Sequence, residues 1–451
     1  MIELYKSHKK VLFIFLVWLI AGKFGGTIVG MVVSSMALIY FWNKKQFATV
    51  FIGLLMLAVF AGGSSFPFAK PARNIYMLEM CILMLVSNLD KIIAVDVFYK
   101  KLGLFFLYSL PLLLLSPTIL ISFQKNISFI LLYICVPPLF LSVMQHSKKE
   151  FMELLLILLF TVFAGGLVLY LINPSVALRV GRYKGLFGNP NEIGLFCVMS
   201  FILITTIREL MREKEIVTRF TYNLLYILIF INLFLCGSRG SMLGLSIFFL
   251  IWFSRLGWVA SLFIFATIGV LYGLVFENIT YIVQVLGFEE YFRLNSLDMA
   301  GGRIHGWAFA WEEVHKSFIF GRGWVYDEYI FKIHAPELNE LNHQGGVHNS
   351  YLGIWLNTGI IGLLLFLTGL IRLFVKASQI NRIAIAAFFC FLVTAFFEPW
   401  MQSSLNITSV IMVMFLTVVI FASDIFPEKN FDDSIYLDNE ESELLNKIKT
   451  I

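Results

Sequence analysis

The chain has 451 residues, of which 59% are hydrophobic and only 14% charged. Soluble domains carry about 25% charged residues, so a water-solvated surface of this size is excluded and lipid must cover most of it. The net charge of +5 says little by itself; the positions of the basic residues carry the information.

In chain order, apolar runs that approach the roughly 20 residues of a bilayer span are predicted at 11–22, 25–42, 46–66, 75–90, 102–123, 127–145, 151–172, 191–207, 220–236, 241–254, 257–275, 348–374, 383–399 and 407–423. The first follows Lys6, His8, Lys9 and Lys10 as the core of a signal peptide would. The apolar pattern continues for hundreds of residues, which favours an uncleaved first membrane helix. The expected fold class is all-α: a polytopic helical membrane protein with about 12–14 transmembrane helices and one large extracytoplasmic loop containing short helices. The expected divisions are N-terminal helices over 1–150, central helices over 151–275 with an outer loop at 173–190, the large loop over 276–347, C-terminal helices over 348–424, and a tail over 425–451.

The distribution of Lys and Arg orients these spans. With the N-terminus in the cytoplasm, the inner links hold Lys44 and Lys45; Lys91, Lys100 and Lys101; Lys148 and Lys149; Arg208, Arg212, Lys214 and Arg219; Arg255; and Arg372, Lys376 and Arg382. The outer links hold fewer: Lys23, Lys70 with Arg73, Lys125, and Arg239. In the 276–347 loop, acids outnumber bases, which excludes a general polyanion-binding surface and therefore nucleic acid as a partner. Ile304, Trp307, Ala308, Trp311 and Val314 recur there at helical spacing, predicting an amphipathic helix at the membrane interface after a turn at Gly301-Gly302. The five cysteines all lie in apolar runs without metal-knuckle or disulfide spacing. The seven histidines show no metal-ligand spacing on one helix. No Walker pattern and no dinucleotide-fold context occurs.

Four places on the outer side carry candidate chemistry: Arg182 in GRYKGLFGNPNEIG, Arg239 in CGSRGS, Arg303 in GGRIHGW, and His348 with Asn349 in GGVHNSYLGIW. A guanidinium offers five donors and keeps its charge, so several forks converging outside the bilayer would clamp a diphosphate. The start of a helix at Arg303 would add free amides to that clamp. A histidine side chain can take a proton from a sugar hydroxyl, which makes His348 the candidate base. Asn349 would orient a sugar or tie down the backbone. Ordinary structural roles stand beside each: Arg182 as an interfacial snorkelling residue, Arg239 as a hinge anchor, Arg303 paired with Asp298 or Glu312, His348 as a cap, and Asn189 as the cap of the next helix. Glu398, before Pro399 and Trp400 at an outer boundary, is a further ionisable candidate.

The order of these motifs resembles a known family. Arg182 with the downstream Asn-Pro-Asn, Ser238-Arg239-Gly240, Arg303 with Trp307, Gly321-Arg322-Gly323, and His348-Asn349 followed by Gly359 and Gly362 together look like the O-antigen ligase and polymerase superfamily of bacterial membrane glycosyltransferases. The similarity covers roughly residues 150–375. It implies an undecaprenyl-diphosphate-linked glycan donor, a glycan or lipid-linked acceptor, no metal and no cofactor. It also implies His348 as the base, Arg182, Arg239 and Arg303 on the diphosphate, and inversion at the anomeric carbon. Flippase and chain-length regulator proteins are the implied partners besides the bilayer. The implied location is the bacterial cytoplasmic membrane, with both termini inside and the active site outside. The full Gly-Asn-Pro-Asn element and the compact loop favour a polymerase of capsule, exopolysaccharide or O-antigen. A ligase acting on lipid A core is the alternative within the family. A transporter or flippase is the rival from another class, with Glu79 and Asp90 as markers of a polar path.

Overall fold

A computed structural model describes residues 2–63, 65–87, 95–211, 218–255, 257–267, 303–341, 343, 345–403 and 405–426. Among these, seven helices are long and apolar enough to cross a membrane: Lys9–Asn43, Val97–Leu115, Ile119–His146, Lys148–Ile172, Pro190–Met211, Arg219–Cys236 and Ser350–Ser378. Shorter apolar helices are Phe47–Phe60, Arg239–Ser254, Trp258–Thr267, Ile383–Phe397 and Ile407–Ile420. The chain is a polytopic helical membrane protein. The five cysteines are buried and unbonded.

The first of these helices is a hairpin. Gly26 has φ 81° and ψ −174° inside Lys9–Asn43, a conformation that only glycine adopts at low cost. Trp18 Nε1 donates to Ser34 Oγ at 2.6 Å, and the rings of Phe15 and Phe41 lie 6.1 Å apart. On a straight helix Trp18 and Ser34 would be about 24 Å apart. The two arms therefore run back along each other, which matches the two predicted runs with the reversal two residues after the predicted gap. Phe68 closes against both Gly22 and Gly30, filling space that a Cβ on either would need.

One predicted boundary is corrected. The run 102–123 is not a single span: a helix ends at Ser109, a 3-10 turn covers Pro111–Leu115, and the next helix begins at Ile119. Pro111 and Pro117 supply the break, since neither can donate the amide a continuing helix needs. Lys125, expected in an outer link, lies inside the Ile119–His146 helix and pairs with Glu328.

The helices share two ends. At one, Lys148 Nζ reaches Ile425 O at 2.9 Å and stands over the Phe426 ring, Arg208 stacks over Tyr222, and Trp258 Nε1 donates to Ser378 Oγ at 2.8 Å. The other end carries the 303–341 segment and the 173–190 link. That link includes the only strands among the described residues, Leu178–Arg179 paired antiparallel with Arg182–Tyr183.

Glycines set the close contacts near this end. Gly240 and Gly244 lie on one face of Arg239–Ser254. A Cβ at Gly240 would sit 3.0 Å from Phe397, and one at Gly244 2.7 Å from Thr394. Small residues four apart let two membrane helices approach this closely, and here they fix the start of Arg239–Ser254 beside the end of Ile383–Phe397.

The 303–341 segment holds the helices Arg303–His315, Tyr326–Ile333 and Ala335–Glu340. The first is the predicted amphipathic helix. It buries Gly306, Ala310, Glu313 and Val314, while Ile304 and Trp311 are left exposed. The Gly301-Gly302 turn expected before it lies outside the described residues, as do Asp90, 276–302 and the tail beyond Phe426.

The Ser350–Ser378 helix is broken at Gly359, whose φ is 68° and ψ −179°. The break frees backbone groups, and the chain between the first two loop helices fills it. Arg322 N donates to Leu356 O at 3.0 Å, Gly323 N to Asn357 O at 2.9 Å, and Ile360 N to Phe318 O at 2.9 Å. Gly321 and Gly359 meet backbone to backbone, so a Cβ on either would collide with the other strand. The Gly321-Arg322-Gly323 motif and Gly359, 36 residues apart, thus form one joint.

Candidate functional site

The candidate centre is assembled on Glu398. This residue caps the end of Ile383–Phe397, where its N–H bonds Thr394 O at 3.0 Å. Its carbonyl accepts from Ser350 Oγ at 2.7 Å, which ties the bend at Pro399 to the start of the Ser350–Ser378 helix. The residue is only 9% exposed. A carboxylate this buried needs charged or hydrogen-bonding partners.

Three side chains from distant segments supply them. Arg303 Nη2 donates to Glu398 Oε1 at 2.5 Å. Asn191 Nδ2 donates to the same oxygen at 2.7 Å. His348 Nδ1 lies 3.7 Å from Oε2, within ion-pair reach but longer than a hydrogen bond. Burial raises the Glu398 carboxyl; the neighbouring His348 and Arg303 outweigh that and hold it below the usual carboxylate range. Glu398 is thus an anion at neutral pH.

His348 sits on a special backbone. Its φ is 47°, a left-handed conformation that costs a non-glycine residue energy and is found where packing over-determines it. Gly345 has φ 99°, and a Cβ there would stand 2.9 Å from His348 Nε2. The Gly345-Gly346 stretch therefore lets the chain pass against the imidazole. A neutral ring that carries its proton on Nδ1, on the side of the carboxylate, presents its lone pair at Nε2. The ring of His343 is 5.9 Å away, itself held by a contact to Gly346 O at 3.1 Å.

Asn349 is the N-cap of Ser350–Ser378. Its Oδ1 accepts from Tyr351 N at 2.9 Å and Leu352 N at 3.0 Å, so that oxygen ties down the backbone.

Arg182 joins through Asn191. Its Nη2 donates to Asn191 Oδ1 at 3.0 Å, to Cys236 O at 3.0 Å and to Gly237 O at 3.1 Å. The guanidinium therefore braces the turn that leads into Arg239. Gly237, at φ 55°, makes that turn. Asn189 Oδ1 caps the Pro190–Met211 helix, accepting from Asn191 N at 2.7 Å, as a Ser, Thr, Asn or Asp cap does. Arg239 opens its helix next to the Gly240–Phe397 contact, Gly240 following Arg239 and Phe397 preceding Glu398 in the chain.

Arg182, Arg303 and His348 are thus linked through Asn191 and Glu398, with Arg239 at the adjoining helix start. Arg303 pairs with Glu398 where a partner was expected in Asp298 or Glu312; Asp298 lies outside the described residues. Among the described residues, no group of three or more His, Cys, Asp or Glu side chains gathers as a metal site. Glu79, the expected marker of a transport path, accepts from Ser35 Oγ at 2.8 Å on the hairpin.

Residues 224–367 match the family model Wzy_C, O-Antigen ligase. Over that segment the chain is similar to the O-antigen ligase family. The match takes in Arg239, Arg303, His348 and Asn349 and stops short of Arg182, Asn191 and Glu398. No curated protein matches the chain. The matched segment therefore contributes two of Glu398's partners, Arg303 and His348, and the rest of the network comes from either side of it.

The sequence pointed to Glu398 only as an ionisable group at a boundary. Its role as the meeting point was not readable there, and neither was the bridging position of Asn191. The available signal was the carboxylate itself: a lone acid at the end of an apolar helix needs a cation, and candidate arginines existed.

Proposed function

We propose that this protein is a membrane glycosyltransferase that joins undecaprenyl-diphosphate-linked oligosaccharide units on the outer side of the cytoplasmic membrane. The observation that carries this reading is the meeting of Arg303 and His348 on Glu398. They come from the two ends of the 303–348 segment, inside a stretch that matches the O-Antigen ligase family.

His348 Nε2 takes the proton of the acceptor hydroxyl. The hydroxyl oxygen forms a bond to the anomeric carbon of the donor from the face opposite the leaving group. The bond from that carbon to the lipid diphosphate breaks, its electron pair leaves with the diphosphate, and the configuration inverts. Glu398 steadies the imidazole and stabilises the charge it acquires, as a buried carboxylate does for a catalytic histidine. Arg303 and Arg239 receive the growing negative charge of the diphosphate. Arg182 holds the Cys236–Gly237 turn so that Arg239 is in place.

Polymerisation of a surface polysaccharide is the favoured outcome, on the Gly188–Asn191 element that supplies both the Asn189 cap and the Asn191 bridge. Transfer to a separate acceptor is a second reading, favoured by the description of the matched family as a ligase. Reconstitution with lipid-linked repeat units, with and without a second acceptor, separates them. A product ladder from repeat units alone supports the polymerase. Product only with the second acceptor supports the ligase. No glycan transfer under either condition would remove the proposal.

A further inference from the structure

We infer that Phe318-Ile319-Phe320, within the segment expected to be an external loop, is inserted among the acyl chains of the bilayer as a re-entrant wedge. The inference does not rest on the glycan chemistry.

Depth is the first support. The wedge is hydrogen-bonded to the break in the Ser350–Ser378 helix, at residues 356–361. That helix carries no charged residue between its start and Arg372. The 13 residues from Gly359 to Arg372 span about 20 Å of helix. A hydrocarbon core is about 30 Å thick. With Arg372 at one boundary, Gly359 lies about 10 Å inside the other.

Backbone satisfaction is the second. Non-helical chain is tolerated at membrane depth only where its polar groups are met by protein. Here Phe318 O accepts from both Ile360 N at 2.9 Å and Trp355 Nε1 at 3.1 Å. Ile319 O accepts from Ile361 N at 3.4 Å and Gly321 N donates to Ser317 O at 3.0 Å. Gly321 O accepts from Ser317 Oγ at 2.6 Å.

Side chains are the third. Phe318, Ile319 and Phe320 are 39%, 52% and 55% exposed, three consecutive large apolar groups that water would penalise. The spanning helix also exposes Leu364. Trp311 and Trp355 stand one turn toward the loop end, with ring centroids 5.4 Å apart, as an interfacial tryptophan pair does. Arg322, next to the wedge, stacks its guanidinium over Tyr326 at 5.4 Å and so is directed away from lipid.

The test is a nitroxide label on Ile319→Cys in the full-length protein, reconstituted in phosphatidylglycerol–phosphatidylethanolamine vesicles. Collision with oxygen is compared with collision with a water-soluble nickel chelate, and Glu337→Cys serves as the aqueous reference. The wedge predicts oxygen collision exceeding nickel collision at 319, with the order reversed at 337. Nickel access at 319 equal to that at 337 would overturn it by placing the segment in water. Low collision with both reagents would also overturn it, by showing a protein cover such as a second copy of the chain. As a check without substitution, a diazirine-tailed phospholipid should label the 317–323 peptide of the unaltered protein, and absence of label there counts against the wedge.

Discussion

Arg303 and Glu398, 95 residues apart in the chain, share a hydrogen bond of 2.5 Å. That bond closes the 303–341 segment onto the end of a spanning helix and, through the same carboxylate, brings Asn191 and His348 into one network.

Removing the carboxylate charge should therefore cost more than a local contact. In Glu398→Gln, Arg303 is left half-buried without its counter-ion, a change that typically costs about 3–5 kcal/mol when a buried pair is broken. The expected result is a lowered melting temperature and reduced glycan transfer, because the amide cannot stabilise the charge that His348 acquires. Glu398→Asp should retain part of both. A melting temperature and a transfer rate equal to the parent's would show the pair to be idle.

The same pair sets an acid limit. The Glu398 carboxyl is held below its ordinary 4.5 after His348 and Arg303 outweigh the effect of burial. A depressed acid gives stability that is fully present above its unfolded value and is lost as pH falls through its folded value. The melting-temperature difference between the parent and Glu398→Gln should thus hold from pH 7 down to 4.5 and shrink below it. A difference that grows on acidification would contradict the assignment.

Asp327 has the opposite sign. Burial, with Glu328 nearby, pushes its carboxyl up to about 6, and Gln402 Nε2 donates to its Oδ2 at 2.8 Å. A raised acid gives stability present at low pH and lost as pH rises through the folded value. The parent should melt higher at pH 5 than at pH 8, and Asp327→Asn should flatten that slope. An unchanged slope in the variant would assign the pH dependence elsewhere.

Much of the fold was legible because lipid demands one pattern: long apolar runs ended by charge or proline. What escaped was decided by groups that composition does not distinguish. Gly26 reverses a helix while Gly25 beside it does not, and nothing local separates them. Pro111 and Pro117 end a helix inside an apolar run, whereas Pro137 and Pro138 lie within one. At the site, the arginines and His348 were visible as charges in an apolar chain. Their convergence on Glu398 depends on contacts across 50 and 95 residues, which no local period encodes. Gly321 and Gly359 were visible as motif members, but their pairing across the helix break emerged only in three dimensions.

That joint is testable by itself. Gly359→Ala must place a Cβ against Ile319 O at a φ of 68°, a strain of order 1–3 kcal/mol before the clash is counted. The apparent melting temperature should fall by several degrees. Gly103→Ala is the control, since a Cβ there meets nothing within 4 Å and alanine favours a helix. Equal melting for the two variants would mean the break in the helix is not held by the loop.

Arg239 is expected to act through its planar fork. Arg239→Lys keeps the charge and loses the bidentate geometry, so transfer should fall while insertion and melting stay close to the parent's. Full transfer by the lysine variant would take Arg239 off the diphosphate.

The most direct measurement is glycan transfer by purified protein in vesicles supplied with diphosphate-linked repeat units, comparing the parent with His348→Ala. The account predicts product from the parent and none from the variant, with matching melting temperatures. Product of the same length and amount from both would contradict it, because the imidazole would then have no part in moving the acceptor's proton.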